Sequence, residues 1–315
     1  MLTDAARRQF ERDGYLVIED VIDSQTLAAV KAEYALVMDH LYEGWCAQGL
    51  VAPASPDMGF FDKLDVAVKA GIEWFQPLDI SLPHADIGLD TPMHIGPAVF
   101  QMATHPGILD VVESLIGPEL TSNPIQHVRI KPPERQVDAR EERAHIVSTD
   151  WHQDRGVTLE SADQTEMVTV WLAITDATVE NGCLQVKPGL RDEMLPHCTM
   201  NQVGITETYL PRDGAIPTPV PAGGAVIFHP LTPHASLRNL SDGYRWSFDL
   251  RYNVTGQSTG RDQFPSFVAR SRANPAQELK DWRAWRDMWG AARETLAHSA
   301  HIPQHRWPSE GPYCA

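Results

Sequence analysis

The chain has 315 residues, 43% of them hydrophobic, and a formal net charge of -16 at pH 7. Its length allows one large domain or two small ones, and its acidic character disfavours nucleic-acid partners, which need clustered lysines and arginines. Because the sequence has no apolar run of about 18 residues, we expect no membrane span.

The N-terminal part is predicted to be rich in helices. Thr3 can cap a helix that ends near Asp13, and Gly14 is suited to end it. A strand at 15–21 and a helix at about 24–41 with helically spaced apolar residues are expected next.

The next stretch is predicted to be irregular. Residues 43–95 contain five prolines and are interpreted as loops around one helix. Pro106 can begin a further helix, which Gly117 ends.

The middle of the chain is predicted to be β-rich. Turn residues separate strand-like segments at 120–131, 146–152, 166–175, 183–187, 219–228 and 244–253. Such short, regularly interrupted strands favour an antiparallel barrel or jelly roll. A C-terminal helix at 276–297 is expected to carry Trp282, Trp285 and Trp289 on one face.

Cysteine usage and charge clustering give two further expectations. Cys46, Cys183, Cys198 and Cys314 show no C-x-x-C spacing, which predicts free thiols in a reducing cytoplasm and no zinc site. The first residues lack the apolar stretch of a secretion signal, in agreement with a cytoplasmic location. Basic and acidic residues alternate in the segment 129–143, which is predicted to be a solvated surface loop.

A set of metal-ligand residue types is the most specific feature. His152 and Asp154 are two residues apart, so on an extended segment both side chains point to the same side. His234 follows a predicted apolar strand, and two imidazoles with one carboxylate can form the facial triad of an iron site. Arg245 and Ser247 can also share one face of a strand, where a cationic residue could hold an acidic co-substrate.

A second His-x-Asp pattern tests the specificity of the first. His84 and Asp86 lie in a segment without strand-like character and far from His234 in sequence. We interpret this second pair as part of a polar loop.

With these residues the chain resembles the phytanoyl-CoA dioxygenase group of iron(II)/2-oxoglutarate oxygenases. The match consists of His152-x-Asp154, His234 and Arg245-x-Ser247 in the family's order. The segments 10–18, 171–184 and 186–189 are also similar to the family, and the resemblance runs from about residue 5 to about residue 270.

The resemblance implies a mainly β fold with flanking helices, namely a double-stranded β-helix or cupin-like jelly roll. We expect one oxygenase domain over 1–315. It would consist of a helix-rich part at 1–118, a jelly-roll core at about 119–255, and a C-terminal strand and helix at 256–315.

The resemblance further implies a reaction. His152, Asp154 and His234 would bind Fe(II), which 2-oxoglutarate chelates, while Arg245 binds the far carboxylate and Ser247 adds a hydroxyl donor. O2 would be the other co-substrate, ascorbate an accessory reductant, and succinate and CO2 the by-products of oxidising a small molecule. Because halogenating relatives have a small residue in place of Asp154, hydroxylation is favoured; desaturation, epoxidation and ring formation stay open.

Three further residues are candidates for co-substrate binding. Lys131 matches a family lysine that can approach 2-oxoglutarate, with a surface role as the alternative. Gln126 lies upstream on the same predicted strand, and Thr169 lies where the family often offers a hydroxyl to 2-oxoglutarate. Structural roles are the alternative for Gln126 and Thr169, and Arg251 is left between a substrate contact and a bracing role.

Two other functions and the substrate stay open. A cupin-like enzyme could use the triad without 2-oxoglutarate, and a binding protein could hold metal or ligand without turnover. The segments 43–95, 133–147 and 196–218 can each form a lid over the substrate. Poor charge complementarity to a CoA tail favours a small metabolite or a secondary-metabolite intermediate as substrate, and the sequence carries no signal for the oligomeric state.

Overall fold

A computed structural model describes residues 1–83, 85–189, 192–199, 202–300, 305–307 and 311–314. In these residues the α-helices are α1 Asp4–Asp13, α2 Ser24–Ala47, α3 Phe60–Lys69, α4 Pro97–Ala103, α5 Pro106–Ile116 and α6 Trp282–Ala297. The strands are β1 Tyr15–Ile18, β2 Glu119–Lys131, β3 Met167–Ala173, β4 Leu184–Val186, β5 His197–Cys198, β6 Gly204–Ile205, β7 Ile216–Thr218, β8 Ala225–Phe228, β9 His234–Ser236, β10 Arg245–Val254 and β11 Phe267–Ser271.

The strands form a large and a small antiparallel sheet and a separate hairpin. The large sheet has the order β1-β8-β3-β10-β2-β11, the small sheet has the order β7-β4-β9, and β5 pairs with β6. A backbone bridge between His152 and His234 adds one more position to the edge of the small sheet. The prediction of a mainly β fold with flanking helices is confirmed.

The two faces of β10 show how the large sheet divides the molecule. Trp246 and Phe248 belong to the main hydrophobic core and pack around Tyr34 of α2, with ring centroids 5.0 and 5.8 Å away. The intervening Arg245 and Ser247 point to the opposite face because side chains alternate along a strand. That opposite face is buried as well, so charged residues of β10 lie in the interior on the side of the small sheet.

The predicted helices agree with the structure where the sequence contains capping signals. The Thr3 side chain accepts a hydrogen bond from the backbone of Ala6, and Gly14 ends α1 with a φ of 80°. The helix α2 continues beyond the predicted end to Ala47, and α4 was not predicted. In the described residues, no helix combines the length and the apolar character that a membrane span requires.

The predicted strands differ from the structure in places where side chains replace backbone pairing. The segment 146–152, all of it described, forms only the single bridge at His152. At Thr149 the carbonyl accepts from the Ser236 N–H, but the Thr149 N–H donates to the Ser236 hydroxyl instead of to a backbone carbonyl. The predicted strand at 219–228 is shortened to β8, since Gly223 makes a turn with a φ of 87°.

Two expectations about side chains are wrong. Cys198 and Cys314 form a disulfide, whereas Cys46 and Cys183 are free. A pairing across 116 residues leaves no local spacing that a sequence could reveal. The start of the predicted surface loop at 129–143 is instead buried in β2, where strand alternation turns basic side chains toward interior partners.

Candidate metal and co-substrate site

Three metal-ligand side chains meet between the two sheets. Nε2 of His152 lies 3.8 Å and Nε2 of His234 lies 3.9 Å from Oδ1 of Asp154. His152 comes from the segment bridged to β9, His234 begins β9, and Asp154 follows the bridge directly. All three are buried, and their ligand atoms lie close enough together to hold one ion, as a facial iron triad requires.

Backbone carbonyls fix both imidazole rings. Nδ1 of His152 lies 2.8 Å from the carbonyl oxygen of Asp150, and Nδ1 of His234 lies 3.0 Å from that of Thr232. An Nδ1–H that donates to a carbonyl leaves Nε2 with a lone pair for the metal. Burial lowers the pKa of both rings, so they are neutral at physiological pH, as metal coordination requires.

Two neighbours on the large sheet hold the Asp154 carboxylate. Nη2 of Arg251 on β10 donates to Oδ1, and the hydroxyl of Thr169 on β3 donates to Oδ2. Burial raises the pKa of Asp154, but the Arg251 guanidinium together with His234 and His152 more than offsets burial and keeps this pKa below its usual range. The carboxylate therefore stays charged, and the Thr169 hydroxyl donates its hydrogen bond to Asp154 in this structure.

The buried guanidinium of Arg245 is a candidate anion site. Its Nη1 donates to the Ser247 hydroxyl at 2.7 Å, and its guanidinium carbon lies 5.0 Å from the centre of the Trp171 ring. Within the described part of the chain, Nε and Nη2 have no hydrogen-bond partner although they are buried. Burial, followed by the charge of Arg129, lowers the pKa of Arg245 to about 9, so the side chain is charged at neutral pH. Buried unpaired donors are costly, and a ligand carboxylate matches this planar fork.

The other predicted co-substrate residues differ in their placement. Lys131 pairs with Arg245 in the β2–β10 ladder and is buried, with Nζ donating to the hydroxyls of Ser236 and Thr149. Burial, and next the charge of Arg245, lowers the pKa of Lys131. Gln126 is not brought to the triad, because its amide donates to the Ile80 carbonyl at 2.9 Å.

The sequence left the role of Arg251 open and contained a second His-x-Asp pattern, at His84 and Asp86. Arg251 binds the metal ligand Asp154, and its spacing of six residues from Arg245 on one strand was the available signal. In the second His-x-Asp pattern, Asp86 is exposed and has a φ of 57°, as expected for a polar loop. His84 lies outside the described residues.

A cavity of about 480 Å³ lies beside the triad and reaches His152 and Arg251. This volume falls within the range of roughly 300–1,000 Å³ that small-molecule sites occupy. The three segments predicted as lids all contribute to its wall, with Phe75 and Leu82 from 43–95, Arg143 and His145 from 133–147, and Thr199 and Val203 from 196–218.

Comparisons with known proteins agree with this geometry. The phytanoyl-CoA dioxygenase (PhyH) family matches residues 10–247. A probable phytanoyl-CoA dioxygenase of Caenorhabditis elegans is 25% identical over 264 residues, which cover 80% of this chain and 75% of the relative. The solved non-heme monooxygenase ThoJ has a TM-score of 0.58 and 20% identity, covering 92% of this chain and 96% of its own.

A second similar structure is the epimerase SnoN in complex with Fe³⁺, alpha ketoglutarate and nogalamycin RO. Its TM-score is 0.51 at 19% identity, and the match covers 82% of this chain and 86% of SnoN. At these identities the two solved structures show the fold, and the family match shows the kinship. The chain belongs to the phytanoyl-CoA dioxygenase family of non-haem iron and 2-oxoglutarate oxygenases.

Proposed function

We propose that the protein hydroxylates an unactivated C–H bond of a small molecule, using Fe(II), O2 and 2-oxoglutarate and releasing succinate and CO2. The observation that carries this proposal is the pairing of a buried His-Asp-His cluster with a buried guanidinium that has two donors to spare. Iron and 2-oxoglutarate supply the oxidising chemistry when bound. The donor set fits Fe(II), and His152, Asp154 and His234 would hold it.

The protein's own contribution is to bind and orient the co-substrate and the metal ligands, and to exclude water. Arg245 binds the distal carboxylate of 2-oxoglutarate through Nε and Nη2, while Ser247 keeps the guanidinium in place through Nη1. Arg251 and Thr169 keep the Asp154 carboxylate charged and oriented. Because this carboxylate occupies a metal position, hydroxylation is favoured over halide transfer.

The cavity supports a small and partly apolar substrate. Its wall combines Phe75, Leu82 and Ile125 with polar groups such as His127 and Asp79. This mixture suits a compact metabolite that carries a few hydrogen-bonding groups. The likeness to SnoN, which was solved with nogalamycin RO, supports a role in secondary metabolism.

We propose further that 1–315 is a single oxygenase domain with the three parts named above. The large sheet supports this proposal, because its strands come from the N-terminal part (β1), the core and the C-terminal part (β11). A cytoplasmic location stays a prediction, and the Cys198–Cys314 disulfide removes the free-thiol argument for it.

Co-substrate turnover tests the proposal. Protein reconstituted with Fe(II), ascorbate and 2-oxoglutarate should form succinate and CO2 in the presence of a metabolite extract. Asp154→Ala should abolish both products, whereas Asp86→Ala, at the exposed aspartate of the second His-x-Asp pattern, should change neither. Oxidation of a metabolite without succinate would favour the cupin-like alternative, and metal binding without any turnover would favour a binding protein.

A further inference from the structure

C-terminal residues beyond the family match contact the turn that carries Asp154. We call residues 305–307 and 311–314 the C-terminal strap; both ranges lie outside the matched segment 10–247. The turn comprises residues 153–158, which follow the first metal ligand His152.

Arg306 binds the end of this turn. Its Nε donates to the Thr158 carbonyl at 3.3 Å, and its Nη2 lies 3.5 Å from the Arg155 carbonyl. Nη2 also lies 2.6 Å from Oδ1 of Asp163, and the Arg306 side chain is only 7% exposed. A buried guanidinium that bonds two carbonyls of one turn restricts the backbone conformation of that turn.

Trp307 supports the same turn by two routes. Its Nε1 donates to the Gly156 carbonyl at 2.8 Å, and its ring stacks on His197 with centroids 5.3 Å apart. Nε2 of His197 in turn accepts a hydrogen bond from the backbone N–H of Gln153 at 3.0 Å. Gln153 separates the two ligands His152 and Asp154, so Trp307 braces the ligand turn at its start, through His197, and in its middle, at Gly156.

The backbone at Gly156 is adapted to this contact. A Cβ at Gly156 would lie 2.5 Å from atoms of the His197 ring, so a larger residue would push the ring away. Glycine therefore allows His197, with Trp307 stacked on it, to approach the ligand turn closely.

The strap is also fastened to the wall of the substrate cavity. Cys314 is bonded to Cys198 of β5, and the Thr206 hydroxyl donates to the Tyr313 carbonyl at 2.6 Å. The hairpin region that follows β5 contributes Thr199, Gln202 and Val203 to the cavity, and His305 of the strap lines the same cavity.

We propose that the C-terminal strap positions Asp154 for metal binding and closes one wall of the substrate cavity. Arg306 and Trp307 are positioning residues, since they act through the backbone of the ligand turn and through His197. The inference rests on the proposed function only in taking Asp154 as a metal ligand.

Metal affinity tests the strap without requiring turnover. The probe is Mn(II), which stands next to Fe(II) in the affinity order for nitrogen and oxygen ligands and can be titrated calorimetrically into the full chain. We expect Trp307→Ala and Arg306→Ala each to raise the Mn(II) Kd about 10-fold, as loss of groups that orient metal ligands does. Trp307→Phe keeps the stacking on His197 but loses the N–H donor, so its Kd should lie between those of the parent and Trp307→Ala.

The matched control is Arg270→Ala. Arg270 is similarly buried and also bonds acidic side chains, Asp110 and Glu113, but it lies on the edge strand β11. Its loss should leave the Mn(II) Kd unchanged. With saturating Mn(II), the 2-oxoglutarate Kd should stay at the parental value in all strap variants, because Arg245 is not touched.

An unchanged Mn(II) Kd in folded Trp307→Ala protein would overturn the proposal. If that variant does not fold, the same criterion applies to Trp307→Phe and to the double variant Cys198→Ser/Cys314→Ser. Should the parent bind Mn(II) in a manner that His234→Ala abolishes, yet consume no 2-oxoglutarate, the proposed function fails and the strap does not. If the strap variants turn over normally and keep the parental Mn(II) Kd, the strap proposal fails and the proposed function does not.

Discussion

Replacement of Arg245 by alanine should separate ligand binding from stability. In the 2-oxoglutarate-free protein, Nε and Nη2 of this buried guanidinium have no partner among the described residues. A charge-assisted hydrogen bond contributes about 1.5–3 kcal/mol, so two such bonds to a carboxylate contribute about 3–6 kcal/mol. Since about 1.4 kcal/mol corresponds to a tenfold change, the 2-oxoglutarate Kd should rise roughly 10²- to 10⁴-fold.

The stability of the same variant should change far less than its affinity. The substitution removes the packing of Arg245 against Trp171 and its bond to Ser247, but it also removes two unsatisfied buried donors. These contributions have opposite signs and similar sizes of about 1–3 kcal/mol. We therefore expect nearly the parental free energy of unfolding in the absence of 2-oxoglutarate.

Calorimetric titration of 2-oxoglutarate into Mn(II)-loaded protein measures the affinity, and urea unfolding of ligand-free protein measures the stability. Arg245→Lys keeps the charge but loses the planar fork, so its Kd should be intermediate. Arg270→Ala serves as the control for the loss of a buried arginine elsewhere. A parental 2-oxoglutarate Kd in Arg245→Ala would refute the assignment of the co-substrate site.

Three further predictions concern Arg251, His197 and the cysteines. Arg251→Ala leaves the Asp154 carboxylate buried without its cation, so the free energy of unfolding of metal-free protein in urea should fall by about 3–5 kcal/mol. Added Mn(II) should reduce this loss, because the ion then neutralises the carboxylate. An equal loss with and without Mn(II) would contradict this. Burial lowers the pKa of His197 to about 4 from its usual value of 6.5. Between these pH values the unfolded chain binds a proton that the folded protein does not, so the free energy of unfolding should fall as the pH decreases from about 6.5 to about 4. This part of the pH dependence should be missing from His197→Gln, as measured by urea unfolding across that pH range. Thiol titration of denatured, unreduced protein should find two reactive thiols, and four after reduction, whereas four from the outset would exclude the Cys198–Cys314 bond.

The candidate metal cluster could be predicted because the chemistry restricts both residue type and spacing. His152 and Asp154 lie two residues apart, and Arg245 and Ser247 repeat that spacing on a true strand, β10. The strand that was predicted to carry His152 is nearly absent, but one backbone bridge to His234 is enough to place both imidazoles together. The side to which these side chains point was therefore easier to predict than the length of the strand.

The partners of the predicted residues could not be read from sequence, because they come from distant segments. Thr169 was a candidate for 2-oxoglutarate binding with a structural role as the alternative. On β3 it lies opposite Phe228 of β8, and its hydroxyl donates to Asp154. Gln126 shares β2 with Lys131, but an irregular register between 123 and 127 lets its amide bond the Ile80 carbonyl. Such contacts depend on the register between strands, which a single sequence specifies only weakly.

Net charge was a poor guide to the site for a physical reason. The whole chain carries -16, but Arg129, Lys131, Arg245 and Arg251 all lie buried on the face of the large sheet that points to the small sheet. Exposed charges are screened over about 8 Å at physiological ionic strength, so the acidic surface contributes little at this depth. Lys131 and Arg245 are adjacent across the β2–β10 ladder at one end of this buried face, whereas Arg251 pairs with Asp154 at the triad. The Arg245 guanidinium would therefore attract the distal carboxylate of a dianionic chelator held at the triad, and strand alternation in β2 and β10 puts these cationic residues on the buried face.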